Sequence, residues 1–197
     1  MATTILMARH GETDWNRDSR FQGHADTTLN DAGREQARAL GERLADDGIV
    51  AIYTSPLLRA RETAGIVAAR LGLEVEALDA LREVDVGSWS GLTRAEVEER
   101  FPDGFRRWLE FDHGWDDGES YDELGLRVLA ALADLAGLHP GERVLVVSHG
   151  GPMRAALAAA AEVAYADARR GAKPVGNCEV AVFRFEDERL RRIDSAD

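Results

Sequence analysis

Short apolar runs rich in β-branched residues alternate along the chain with stretches whose apolar positions recur every three or four residues, which predicts strands and helices in turn. TTILMAR (3–9) reads as a buried strand, and LNDAGREQARALGERLADDG (29–48) as an amphipathic helix with Asn30 or Asp31 as N-cap and Gly48 as its stop. VAIYTS (50–55) repeats the strand pattern. Ser55-Pro56 then predicts an N-cap with proline at the first helical position, opening a helix to about Leu71 before Gly72.

EVEALDAL (74–81) is a weaker strand pattern, followed by an irregular stretch rich in Gly, Trp and Asp. Thr93-x-x-Glu96 and Ser120-x-x-Glu123 are capping boxes; the second predicts a long helix ending near Gly137. ERVLVVSH (142–149) has the continuous apolar character of a strand buried on both faces, and Gly150-Gly151-Pro152 leads directly into another helix. CEVAVFRFEDERLRRID (178–194) predicts an antiparallel hairpin turning near 186–188, with Cys178 a half-buried strand residue.

This alternation predicts an α/β fold: a three-layer α/β/α domain with a mostly parallel central sheet and a helical insertion over its carboxyl edge. The 197 residues suit a single domain, 1–197, with 83–118 as the cap or insertion segment. Trp89, Trp108, Trp115, Phe101, Phe105 and Phe111 crowd that segment, either as its small core, the expected reading, or as the lining of a substrate pocket; substrate selection is expected to come from this segment.

Charge narrows the partners. Basic residues number 24 against 36 acidic, for a net charge of −12, which argues against nucleic acid and anionic membranes. No apolar run approaches a membrane span or a leader, and the single cysteine, Cys178, suits a reducing compartment, so a cytoplasmic protein is expected. His24, His113 and His139 lack metal-ligand spacing and are expected at the surface; no metal is expected. Lys173 is the one lysine among the 24 basic residues, so an arginine beside a histidine carries little information by itself.

The ends of the strands carry the chemistry, because ligands of open α/β sheets bind beyond the strands' carboxyl ends. Arg9 and His10 follow the first strand, Arg59 lies just past the second, and His149 with Gly150 and Gly151 follows the strongest one. Planar guanidinium forks and the free N–H groups of a glycine-rich helix start both suit phosphoryl oxygens. A histidine among such cations would stay uncharged and nucleophilic, a role that falls to His10. Arg9, Arg59 and His149 would neutralise the phosphoryl oxygens without a metal, and Asn16 could add a hydrogen bond. A leaving alkoxide needs a proton, for which Glu83 and Glu12 are candidates; Glu83 follows the third strand-like run. Glu12 has an alternative structural role at a helix end, and Arg17, Arg20 and Arg61 are either solvated charge or contacts to a substrate tail.

Five ordered blocks, RHGETDWN (9–16), RFQGHADTTL (20–29), SPLLRARETA (55–64), LREVDVGSWSG (81–91) and VVSHGG (146–151), resemble the histidine phosphatase superfamily, in its phosphoglycerate-mutase-like branch. The resemblance spans nearly the whole chain. It implies His10 as the phosphorylated nucleophile, Arg9, Arg59 and His149 as the phosphate pocket, Glu83 as proton donor, Asn16 as a phosphate contact, and Gly23 on the substrate loop. No cofactor is expected, and the expected substrate is a small phosphorylated metabolite; helix faces that bury inside look like those that bury against a neighbour, so both a monomer and a homodimer stay open. Cofactor-dependent mutases of this branch look longer and carry an RHYG-type block and a proline-rich insertion after the acid. REVDVGSWSG stands there instead, which favours a phosphatase over a mutase. The remaining alternative is a catalytically idle phospho-ligand-binding protein on the same fold.

Overall fold

The computed structural model describes residues 1–171, 173 and 175–193. The sheet has six strands: β1 (Thr3–Arg9), β2 (Ile49–Thr54), β3 (Val75–Ala77), β4 (Arg143–Ser148), β5 (Val180–Glu186) and β6 (Arg189–Ile193). Their order across the sheet is β3-β2-β4-β1-β5-β6. Strands β1 to β4 run parallel, while β5 pairs antiparallel with β1, and β6 antiparallel with β5. The fold is thus α/β with a mixed, mostly parallel sheet. The hairpin turns at Asp187 and Glu188, both at positive φ. The last hairpin position anticipated from the sequence, 194, lies outside the described residues.

Alternation along the central strands builds two apolar layers, because successive side chains point to opposite faces. On one face Leu6, Ala8, Ile52, Leu145 and Val147 pack with helices α2 (Asp31–Arg43) and α3 (Leu58–Leu71). On the other, Ile5, Met7, Val144 and Val146 pack with α6 (Tyr121–Leu138) and α7 (Gly150–Ala160). A short α1 (Asp14–Arg17) follows β1. Between β3 and α6 lie two 3-10 turns and helices α4 (Arg94–Arg100) and α5 (Pro102–Leu109), with α8 (Tyr165–Gly171) after α7. Among the described residues no helix is long and apolar enough to cross a membrane.

Both predicted capping boxes form: Thr93 with Glu96 opens α4, and Ser120 with Glu123 opens α6. Three local expectations are corrected. Helix α2, capped by Asn30, ends at Arg43 rather than running to Gly48, since the chain turns at 44–47 to reach β2. Leu57, not Ser55, occupies the N-cap of α3, and Pro56 lies before the helix; the Ser55 hydroxyl only accepts a bond from the Leu57 N–H at 3.3 Å. Cys178 is buried in a left-handed turn (φ 55°) before β5 rather than half-buried on a strand, because its N–H bonds back to the Arg9 carbonyl at 3.0 Å.

Candidate active site

The order of strands sets the place. β1 and β2 flank β4, so the connections from β1 and β4 leave the sheet side by side at its carboxyl edge. Register pairs Arg9 with Ser148, and the His10 N–H donates to the Ser148 carbonyl at 2.9 Å. His10 and His149, 139 positions apart in sequence, therefore become neighbours, their ring centroids separated by 5.2 Å.

His10 is 2 % exposed. Its Nδ1 lies 2.7 Å from the Gly11 carbonyl, which fixes the tautomer with the proton on Nδ1 and leaves Nε2 without a partner among the described residues. Burial, then the charges of Arg59 and Arg9, hold its pKa well below the usual histidine value, against a smaller opposing effect of the Gly11 carbonyl. The expected lowering is present, with burial rather than repulsion as its first cause. His149 is fully buried; burial, followed by Arg59, His10 and Arg9, lowers its pKa too. Neither of its ring nitrogens has a hydrogen-bond partner among the described residues.

Arg59 is completely buried on α3, and its Nη atoms donate to the carbonyls of Ala25 (2.7 Å) and Gly23 (2.8 Å). It thus pins the loop that carries Gly23. Burial pushes its pKa down to about 10, so it stays charged at neutral pH. Arg9 donates from Nη1 to the Val175 carbonyl at 2.6 Å. The Nε atoms of Arg9 and Arg59 are both buried and unpartnered among the described residues. Gly23 sits at φ +49°, and a Cβ there would lie 2.7 Å from the Val86 side chain.

Glu83 approaches from the loop after β3. Its Oε1 accepts the N–H groups of Val84 (2.9 Å) and Gly151 (3.0 Å). Its Oε2 and the Arg9 Nε both lie about 4 Å from the place a Cβ on Gly150 would occupy, at 3.9 and 4.0 Å. Of the N–H groups at the glycine-rich helix start, that of Gly151 is committed to Glu83, leaving that of Gly150. Asn16 caps its own turn, its Oδ1 accepting from the Thr13 N–H and hydroxyl at 3.1 Å.

One cavity of about 420 Å3 is lined by Arg9, His10, Asn16, Gly23, Arg59, Glu83 and Gly150; His149 is not among its lining residues, its ring lying 5.2 Å from that of His10. Glu12 is elsewhere: its carboxylate accepts from the Asn30 side chain at 2.9 Å, the structural role. Arg17 pairs with Asp14 and Asp18 in solvent, Arg61 is exposed, and Arg20 lines the cavity. Trp89, Trp115 and Phe105 are buried as expected of a small core, but Trp108, Phe111 and Trp115 also face the cavity. His139 is not a simple surface residue: it bonds to the Tyr53 hydroxyl and to Glu142, both at 2.8 Å.

Several lining residues escaped sequence reasoning. Arg154, Tyr165 and Arg169 come from α7 and α8 and line the cavity too. Asn177 donates to the His10 carbonyl at 2.9 Å, tying the approach to β5 to the site. In a chain with so many arginines, no composition signal separates Arg154 or Arg169 from the rest.

An α/β protein with a cationic pocket around an uncharged histidine at the switch point of its sheet can hold a phosphoryl group and present a nitrogen lone pair to it. The chain belongs to the histidine phosphatase superfamily (branch 1), which it matches over residues 5–195. It is 40% identical over 188 residues to phosphoglycerate mutase-like protein 4 of Arabidopsis thaliana, covering 93% of this chain and 80% of that one. It is 39% identical over 153 residues to phosphoserine phosphatase 1 of Hydrogenobacter thermophilus, covering 77% and 72%. The structure of Bacillus stearothermophilus YhfR superposes with a TM-score of 0.92 at 31% identity, covering 99% of this chain and 97% of that one.

Proposed function

We propose that this protein is a phosphomonoesterase that uses no metal and works through a phosphohistidine on a small phosphorylated metabolite. The observation that carries the reading is the state of His10: a buried ring, its proton held on Nδ1 by the Gly11 carbonyl, with an unpartnered Nε2 among guanidinium groups. Such a ring is a neutral nucleophile at pH 7.

In this reading Arg9, Arg59, His149, Asn16 and the Gly150 N–H hold the phosphoryl oxygens and neutralise charge as it spreads in the transition state. The His10 Nε2 lone pair forms the N–P bond while the ester P–O bond breaks, and the departing alkoxide takes a proton from Glu83. The Glu83 carboxylate then accepts a proton from water, whose oxygen attacks phosphorus. The N–P bond breaks, its electron pair returns to Nε2, and inorganic phosphate leaves. Oε1 of Glu83 is engaged by two backbone N–H groups, which leaves Oε2 for both proton transfers.

We read 1–197 as one domain and 83–118 as its cap, supported by the contribution of Glu83, Val86, Trp108, Phe111 and Trp115 to the cavity. Gly23 belongs to the substrate loop that Arg59 pins. Phosphate release from a panel of phosphomonoesters by the His10→Ala variant tests the proposal. No release is expected; turnover at the wild-type rate would remove His10 as nucleophile.

A further inference from the structure

A second cavity, of about 240 Å3, opens where α7 packs on α8 and on β6. Leu157, Ala160, Val163, Ala168 and Val175 give it an apolar wall, and Val163 is 44 % exposed, so the core leaves this surface uncovered. The hollow exists because Ala160, Ala161, Ala168 and Gly171 are too small to fill it.

The other lining residues are all cations: Arg154, Lys173 and Arg192. Among the described residues no Asp or Glu lines the cavity, in a chain with 36 acidic residues against 24 basic ones, and the single lysine of the chain is placed here. Arg192 stands opposite Phe183 across the β5–β6 ladder, hence on the sheet face that α7 covers. Among the described residues none of the three cations has a carboxylate within salt-bridge distance, the nearest pair in sequence being Arg189 with Glu162. A wholly apolar ligand would leave these charges unanswered, and a fully polar one would leave the wall uncovered. A molecule with an apolar body and one anionic end satisfies both. The cavity is distinct from the one around His10 but adjoins it at two residues: Arg154 lines both, and the Val175 carbonyl accepts from the Arg9 Nη1 at 2.6 Å.

We infer that this cavity binds a small alkyl carboxylate of about eight carbons, its chain against α7 and α8 and its carboxylate at Lys173 and Arg192. At about 30 Å3 for each water-sized group, the volume holds about eight of them, enough for one short chain and too little for a helix or the paired chains of a lipid. The site goes beyond the phosphatase reading and stands without it. Through Arg154 and Val175 an occupant bears on the residues around His10 without entering their cavity.

Calorimetric titration of the whole protein with octanoate tests the inference, with inorganic phosphate present to occupy the cavity around His10. Octanoate should saturate at one equivalent; displacement by phosphate would put it in the active site and overturn the assignment. Hexanoate, two methylenes shorter, should bind about tenfold more weakly, and equal affinities would remove the apolar wall from the account. Octyltrimethylammonium carries the same chain on a positive head and should not bind; binding as tight as that of octanoate overturns the role of the cations. Arg192→Glu changes an exposed side chain and should weaken octanoate about tenfold or more, while Ala161→Trp, also at an exposed position, should fill the hollow and weaken it similarly. Undiminished binding in both variants overturns the site. Sedimentation with anionic vesicles in the absence of octanoate binding would make this face a membrane surface and overturn it as well. A protein that releases phosphate from no ester would end the phosphatase reading and leave these titrations unchanged.

Discussion

The rings of His10 and His149 lie 5.2 Å apart at a tilt of 58°, brought together by the parallel register of β1 and β4. His149 is fully buried, yet neither ring nitrogen has a partner among the described residues. A buried imidazole without a partner costs free energy, and a phosphoryl oxygen beside His10 would satisfy it. His149→Ala is expected to lower kcat by about a hundred- to a thousandfold, the usual loss for a donor to developing charge. Steady-state assays against a small phosphomonoester check this, and a kcat close to wild type would place His149 outside the reaction.

The two histidines also make stability depend on pH. Their folded pKa values lie below the ordinary 6.5, so between those values and 6.5 the unfolded chain binds protons that the folded chain refuses. Stability therefore rises with pH through that window, is complete above it, and is lost as pH falls. Each ring contributes a slope of at most about 1.4 kcal/mol per pH unit. Denaturant unfolding from about pH 7.5 to about pH 5 should show a steeper loss for the wild type than for His149→Ala; superimposable slopes would contradict the burial of a neutral ring.

Arg127 on α6 clamps the loop that presents Glu83. Its Nη atoms donate to the carbonyls of Ala80 (2.8 Å), Arg82 (2.8 Å) and Glu83 (2.9 Å), and its fork grips both oxygens of Glu119 at 2.5 and 2.7 Å. Arg127→Met should destabilise the fold by about 3 kcal/mol, as for breaking a largely buried ion pair. It should also slow alkyl phosphates more than p-nitrophenyl phosphate, whose leaving group departs without a proton. Equal slowing of both would show that Arg127 does not act through Glu83.

Gly33 permits the first turn of α2 to lie against the strand of chain that follows His10. A Cβ at Gly33 would overlap the backbone of Glu12, and one at Gly11 would overlap the Gly33 carbonyl. Gly33→Ala is expected to cost about 1–3 kcal/mol, although alanine is the better helix former. Thermal unfolding reads this directly, and a stabilised variant would mean that the contact opens freely.

The strands and capping boxes were legible because each depends on residues within one short window. Arg9, His10 and His149 were legible for a related reason: they follow strand patterns whose ends must share one edge. What depended on packing was not. Leu57 stands at the N-cap position of α3 with no side-chain bond, although Ser55-Pro56 offered better capping chemistry: the Ser55 N–H bonds to the Val147 carbonyl, which keeps Ser55 with the sheet, and the helix starts two residues later. Arg154 and Arg169 line one cavity because α7 and α8 pack together, a contact that no local spacing encodes. Cys178 read as a strand residue because its neighbours alternate, while its own N–H turns back to Arg9.

The most direct test of the account is rapid-quench trapping on the Glu83→Gln variant with p-nitrophenyl phosphate labelled at phosphorus. This ester needs no acid to depart, but hydrolysis of the intermediate needs a base, so a phosphoenzyme should accumulate. Peptide mapping is predicted to find an acid-labile, alkali-stable phosphate on the peptide containing His10, absent when His10 is also replaced by alanine. Nitrophenol release with no label on the protein, or label on any other residue, would contradict it.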